Sequence, residues 1–170
     1  MAEKYSHLQF LISRLDHYYD SINNKANFYL GLNTFLITGM LTTYYTINQI
    51  SQFTPSEEIM FICSIVFGLI SIAYIFKSIN PFLKSGNIES EYKTLIFFGS
   101  ICKFEKNVFV SEIKNQSDEI LINDMCNQVH QLSIGLNKKF ESTQVAGKWI
   151  MAQFILICPI TIIIISKLKL

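Results

Sequence analysis

Amide and ammonium side chains gather in two short stretches of this chain: Asn23, Asn24, Lys25 and Asn27 in the first, Lys138 and Lys139 in the second, with Gln128 shortly before it. An ammonium takes up anions and a carboxamide both donates and accepts, so such a set suits the binding of a polar ligand. It supplies no chemistry for bond breaking. There is no glycine-rich phosphate loop, no Ser or Cys nucleophile in a recognisable setting and no HExxH spacing. His17 and Asp20 stand one helical turn apart without further ligands, and His7 and His130 are isolated, so neither a metal nor a cofactor is expected. Cys63, Cys102, Cys126 and Cys158 are spaced too widely for a disulfide framework or zinc ligation and are expected as buried thiols.

The first polar stretch sits inside a longer one, Leu15 to Tyr45, where a charged helix passes into apolar sequence without a break in its periodicity. No charged side chain occurs between Lys25 and Glu57, and residues 27–47 as a helix would be roughly 31 Å long, enough to cross a bilayer. One seam of that helix, stepping by three and four, holds Tyr5, Leu8, Ile12, Leu15, Tyr19, Ile22, Ala26, Tyr29, Leu36 and Met40, interrupted by Asn33. A second row runs through Asp16, Asp20, Asn23, Asn27, Gly31, Thr34, Thr38 and Thr42. Small and hydroxyl residues mark close helix contacts in a bilayer, and an amide there seeks a partner because hydrocarbon offers none. Gly31, Asn33, Thr34 and Thr38 are therefore candidates for packing within one bundle or for self-association.

The remaining chain repeats the theme. Thr54-Pro55-Ser56-Glu57 carries the marks of a helix start, with a Thr cap, Pro at the first position and Glu three residues on. Residues 59–76 form a second charge-free run, ended by Lys77 and Asn80-Pro81. Residues 77–148 are polar, with a loop at Lys84-Ser85-Gly86-Asn87, a segment Leu95 to Gly99 whose pattern selects neither helix nor strand, and a short amphipathic helix from Ile101 to Lys114. After a turn near Asn115-Gln116, Ser117 caps a long helix with Asp118 and Glu119 in its first turn. Its apolar row is Leu121, Met125, Val129, Leu132, Leu136 and Phe140; its polar row is Asp124, Gln128, Gln131, Gly135 and Lys138. From Trp149, residues 149–166 make a third apolar run, in which a kink is expected at Pro159.

Half of the 170 residues are hydrophobic and 16% charged, below the usual quarter of a soluble domain, and the net charge of +1 argues against a nucleic-acid partner. The expected fold is an all-α integral membrane protein in a single domain. Three spans (27–47, 59–76 and 149–166) carry a stalk helix at 1–26 and a cytoplasmic helical segment at 77–148, packed as a bundle. Twelve Lys and Arg flank one side of these runs and two the other, which places the N-terminus in the cytoplasm. Asp16 and Asp20 would then lie at the depth of Lys138 and Lys139 and can pair with them.

Asp16 to Asn33, Leu95 to Ile101 (LIFFGSI) and Asn123 to Ala146 (NDMCNQVHQLSIGLNKKFESTQVA) resemble the transmembrane effectors of bacterial Pycsar antiphage systems. The resemblance covers most of the chain. It implies a partner cyclase that makes cyclic CMP or cyclic UMP on infection, and an effector in the inner membrane that answers by impairing the bilayer; the small-residue row makes a homo-oligomer the expected assembly. It also implies a ligand. The single phosphate charge would be met by Lys25, Lys138 or Lys139, and the pyrimidine edge by Asn23, Asn24, Asn27 or Gln128. The alternative is a non-toxic adaptor or immunity-type membrane protein whose cytoplasmic bundle binds a partner.

Overall fold

The computed structural model describes residues 2–80 and 94–168. The expected loop at Lys84 to Asn87 lies outside them. Among the described residues 90% are helical and none is in a strand. The helices are α1 (Ala2–Ile50), α2 (Pro55–Ile79), α3 (Phe98–Ile101), α4 (Lys106–Asn115) and α5 (Asp118–Leu168). Two of them, α2 and α5, are long and apolar enough to cross a membrane by length and composition. Segment 27–47 of α1 is not among these, its apolarity diluted by Asn27 and Asn33, by five threonines from Thr34 to Thr46 and by Tyr29, Tyr44 and Tyr45.

The start and end signals read from the sequence operate as expected. Ahead of α2, Glu57 Oε2 accepts the Thr54 backbone N–H at 2.7 Å, which satisfies a donor that has no intrahelical partner. Asn80 ends the same helix with its N–H on Phe76 O. Ser117 precedes α5, its Oγ accepting the Ile120 N–H at 3.4 Å. The fourth helix is shorter than expected. Ile101 closes the single turn of α3, Lys103 and Phe104 donate back to Ser100 and Ile101 in a turn, and α4 starts only after Glu105.

The chain divides into two compact units. In the first, residues 1–20 and 81–137, Leu8 and Met125 are buried, and the Tyr19 hydroxyl donates to Leu132 O at 2.9 Å. Asp124 is buried beside the 94–97 segment, where its Oδ2 accepts the Leu95 N–H at 3.2 Å.

The second unit, residues 21–80 and 138–170, is a three-helix bundle. Asn33 bonds Gly68 and Tyr44 packs on Phe61, so α1 and α2 run antiparallel; Asn23 bonds Lys139 and Tyr29 lies against Gly147, so α1 and α5 run parallel. Ile22, Ala26, Asn33, Met40 and Ile47 are the buried face of α1, the expected seam carried two steps further. At the α1–α2 corner Tyr44, Phe53 and Phe61 form an aromatic cluster with centroids 5.0–5.5 Å apart. Lys167 meets it, with Nζ 3.1 Å from Glu57 Oε2, 2.8 Å from Gln52 O and 5.1 Å above the Phe53 ring.

Two expectations are corrected here. Phe140 is exposed, because it follows Leu121 by nineteen residues, and at 3.6 residues per turn that carries it about 100° around the helix. Lys139, Ser142, Thr143, Ala146, Ile150, Gln153 and Ile160 are buried instead. Nor are the cysteines buried: Cys102, Cys126 and Cys158 are exposed and Cys63 half-buried. Cys63 and Cys158 lie in a bundle of only three helices, where much of each helix surface has no neighbour within the chain, and Cys102 and Cys126 lie in the other unit.

Candidate functional site

The bundle of residues 21–80 and 138–170 is held together by polar groups in its interior. On α2 the residues Ser64, Gly68, Ser71, Ile75 and Ser78, spaced three or four apart, are all buried. Small side chains there let the neighbouring helices approach closely. Ser71 Oγ donates to Ala146 O at 3.0 Å, and the Ser78 and Thr143 hydroxyls share a hydrogen bond of 2.8 Å.

Lys139 completes the end of α2. Its ammonium donates to Ser78 O at 2.6 Å, to Asn23 Oδ1 at 3.1 Å and to Ile79 O at 3.4 Å. The last carbonyls of a helix lack intrahelical donors and carry its negative end, so a cation there is favoured twice over. Burial still pulls the Lys139 pKa below its ordinary value of 10.5. In the other unit burial, reinforced by the Asp16 charge, pushes the Tyr19 hydroxyl above 10.0.

Farther along the bundle the polar groups are not all matched. Asn33 Nδ2 donates to Gly68 O at 2.9 Å, but its Oδ1, Ser64 Oγ and both amide atoms of Gln153 are buried without a hydrogen-bond partner. The two amides flank Gly68 closely. A Cβ on Gly68 would lie 2.9 Å from Asn33 Oδ1, from Gln153 Nε2 and from Ile37 Cδ1, so only glycine fits without displacement. A buried amide with two empty valences costs free energy, and more so in hydrocarbon.

The residues singled out in the sequence are distributed as follows. Asn23 and Lys139 bond each other within the bundle. Asn24, Lys25 and Asn27 are exposed on α1, Lys138 is exposed on α5, and Gln128 lies half-buried in the other unit. Lys25 sits with its Nζ 5.7 Å above the Tyr29 ring, beside a cavity it lines together with Lys148 and Gln144. Gly31, Thr34 and Thr38 are exposed, and nothing lies within 4 Å of a Cβ built on Gly31. Sequence reasoning missed the serine row of α2 and Gln153. The spacing that singled out Gly31, Thr34 and Thr38 is present in Ser64, Gly68, Ser71 and Ser78 and would have found that row.

The arrangement holds no acid–base pair aimed at a common point, and among the described residues no cluster of His, Cys, Asp or Glu able to hold a metal. What it offers is a polar core inside apolar helices. Residues 7–166 match the family model of the Pycsar effector protein domain. The chain belongs to that family. Pycsar effectors of this transmembrane type are antiphage membrane effectors and not a known enzyme family. Family membership agrees with the two apolar helices in assigning this effector to the membrane. No curated protein and no solved structure matches the chain.

Proposed function

We propose that this Pycsar effector is switched by a cyclic pyrimidine mononucleotide, cyclic CMP or cyclic UMP, made by a partner cyclase, and then impairs the inner membrane so that the infected cell stops growing or dies. Three spans cross the bilayer, at 27–47, 59–76 and 149–166, with the N-terminus in the cytoplasm. The nucleotide is taken up by the amides and lysines of Asn23 to Asn27 with Lys138 and Lys139. Copies associate through the exposed row Asn27, Gly31, Thr34 and Thr38.

The observation that carries this reading is the unmatched polar layer of Asn33, Ser64 and Gln153 between three helices of a membrane effector. A resting bundle that leaves such groups unpaired has a second packing within reach, and a ligand that binds that packing better shifts the population toward it. The twelve-to-two Lys and Arg bias supports the orientation.

The test is binding of cyclic CMP and cyclic UMP to the purified full chain, with Lys25→Ala and Asn23→Ala alongside, and membrane potential in cells given the same nucleotides. Binding to wild type, weakened in both variants and accompanied by depolarisation, is expected. Binding without depolarisation would make the protein an adaptor, and equal binding by both variants would move the site elsewhere. Reporter fusions after Asn80 and Leu170 check the spans; a cytoplasmic signal from both excludes three.

A further inference from the structure

A cavity of about 570 Å³ opens on the three-helix bundle between α1 and α5, within the size range of small-molecule sites. Its polar part is built from Lys25, Tyr29, Gln144 and Lys148. Gly147 makes room for this, since a Cβ there would press within 3.2 Å of the Tyr29 ring and hydroxyl. Among the described residues neither lysine is paired with a carboxylate. Two cations at one mouth without a counter-charge call for an anion.

The other part of the cavity is of opposite character. Met151 and Ile155, which line it three and seven residues beyond Lys148 on α5, are 63% and 70% exposed. At 1.5 Å per residue they lie roughly 5–10 Å further along the helix, in the run that is apolar enough to cross a membrane. A soluble phosphate would satisfy the lysines and leave that apolar wall bare. A phosphate carrying a hydrocarbon chain satisfies both.

We propose that this groove holds an anionic phospholipid of the bilayer, its phosphate between Lys25 and Lys148 and its acyl chain along Met151 and Ile155. The site goes beyond the nucleotide reading and shares only Lys25 with it. It couples the effector to the charge of the leaflet, because a lipid seated between α1 and α5 bears on the packing of both.

The experiment measures lipid binding to the full chain in neutral detergent, by native mass spectrometry and by thermal unfolding. The ligands are phosphatidylglycerol, phosphatidylcholine, glycerol phosphate, cyclic CMP and cyclic UMP, each without the others. Phosphatidylglycerol is expected to bind tightest and to raise the unfolding temperature. Lys25→Gln and Lys148→Gln each weaken it about five-fold, the double variant about 25-fold, as for single charges near an anionic surface. Lys148→Arg, which keeps the charge, restores binding, and Met151→Asn weakens phosphatidylglycerol without creating affinity for glycerol phosphate. Unchanged elution and melting of the unliganded variants establish that they fold. Equal binding of the two lipids, or phosphatidylglycerol binding indifferent to Lys148→Gln, overturns the proposal. So does a cyclic nucleotide or glycerol phosphate that binds more tightly than phosphatidylglycerol in a manner lost with Lys148→Gln, which would make the groove a soluble-anion site. Because Lys148 has no part in the nucleotide set, failure here leaves Asn23→Ala free to decide that reading separately.

Discussion

Replacing Gln153 by leucine is expected to stabilise the protein. The side chain is fully buried and neither its Nε2 nor its Oε1 has a partner, so two polar atoms are withheld from water with nothing in return. An unsatisfied buried group costs about 1–3 kcal/mol, and the lower end applies because an unfolded chain in a membrane also finds partners. Removing both atoms therefore contributes about 2 kcal/mol, against about 1 kcal/mol for the imperfect shape of leucine in a site packed around glutamine. The net gain of about 1 kcal/mol corresponds to roughly 2–4 °C in unfolding temperature for a chain of this size. Asn33→Leu serves as the control. It removes one unpartnered oxygen but also a 2.9 Å bond to Gly68 O of about the same worth, and with the same shape cost it should lose about 1 kcal/mol. Thermal unfolding of the detergent-purified protein, followed by the fluorescence of Trp149, reads both. A fall of more than about 3 °C for Gln153→Leu, of the size a lost hydrogen bond gives, would mean that the amide is in fact satisfied, and the reasoning about the polar layer would fail.

Gly31→Leu fills a surface with nothing within 4 Å and should leave the unfolding temperature of the monomer within about 2 °C while reducing crosslinked oligomers; undiminished crosslinking would remove that row from self-association. Lys139→Met takes the donors from Ser78 O and Ile79 O and should cost about 2 kcal/mol, with faster hydrogen exchange in the last turn of α2 as its local mark. Tyr19→Phe removes the bond to Leu132 O and should cost about 1 kcal/mol at neutral pH. Since the folded pKa of Tyr19 lies above 10.0, its contribution is present below pH 10 and lost as the pH rises through the folded value. Wild type should accordingly lose stability in that alkaline range, and Tyr19→Phe should lose less.

Why some of this was legible in the sequence and some was not follows from how each signal arises. The caps at Thr54 and Ser117 are local, fixed by residues three or four apart, and they appear as read. The α1 seam keeps a step of 3.5 and stays on one face from Leu8 to Met40, so its buried side was readable over more than thirty residues. The row chosen on α5 averages a longer step and drifts, which is why Phe140 ends up exposed while Lys139 and Thr143 turn inward. That error is one of period. The role of Lys139 is of another kind: a lysine near a membrane boundary suggests an anchor or a ligand, and nothing local says that its ammonium reaches the end of a helix sixty residues earlier in the chain. Gln153 was missed although the argument applied to Asn33, that an amide in an apolar run seeks a partner, holds for it equally.

The polar groups of the bundle therefore differ along its length. Near the Asn23 end, Lys139, Ser78, Thr143 and Asn23 bond one another or the end of α2, so charge-assisted and hydroxyl contacts fix that region in one arrangement. Around Gly68, Asn33, Ser64 and Gln153 are packed as tightly but left with open valences. A matched network resists rearrangement, since every bond broken must be replaced; an unmatched one loses little by moving and gains whatever partner it meets. Rotation or separation of α1 and α5 about the Asn23–Lys139 contact would thus cost least where the side chains lie between the apolar stretches of the helices. On the proposed switch that layer is where a change of packing costs least, and a leucine at position 153 should oppose it.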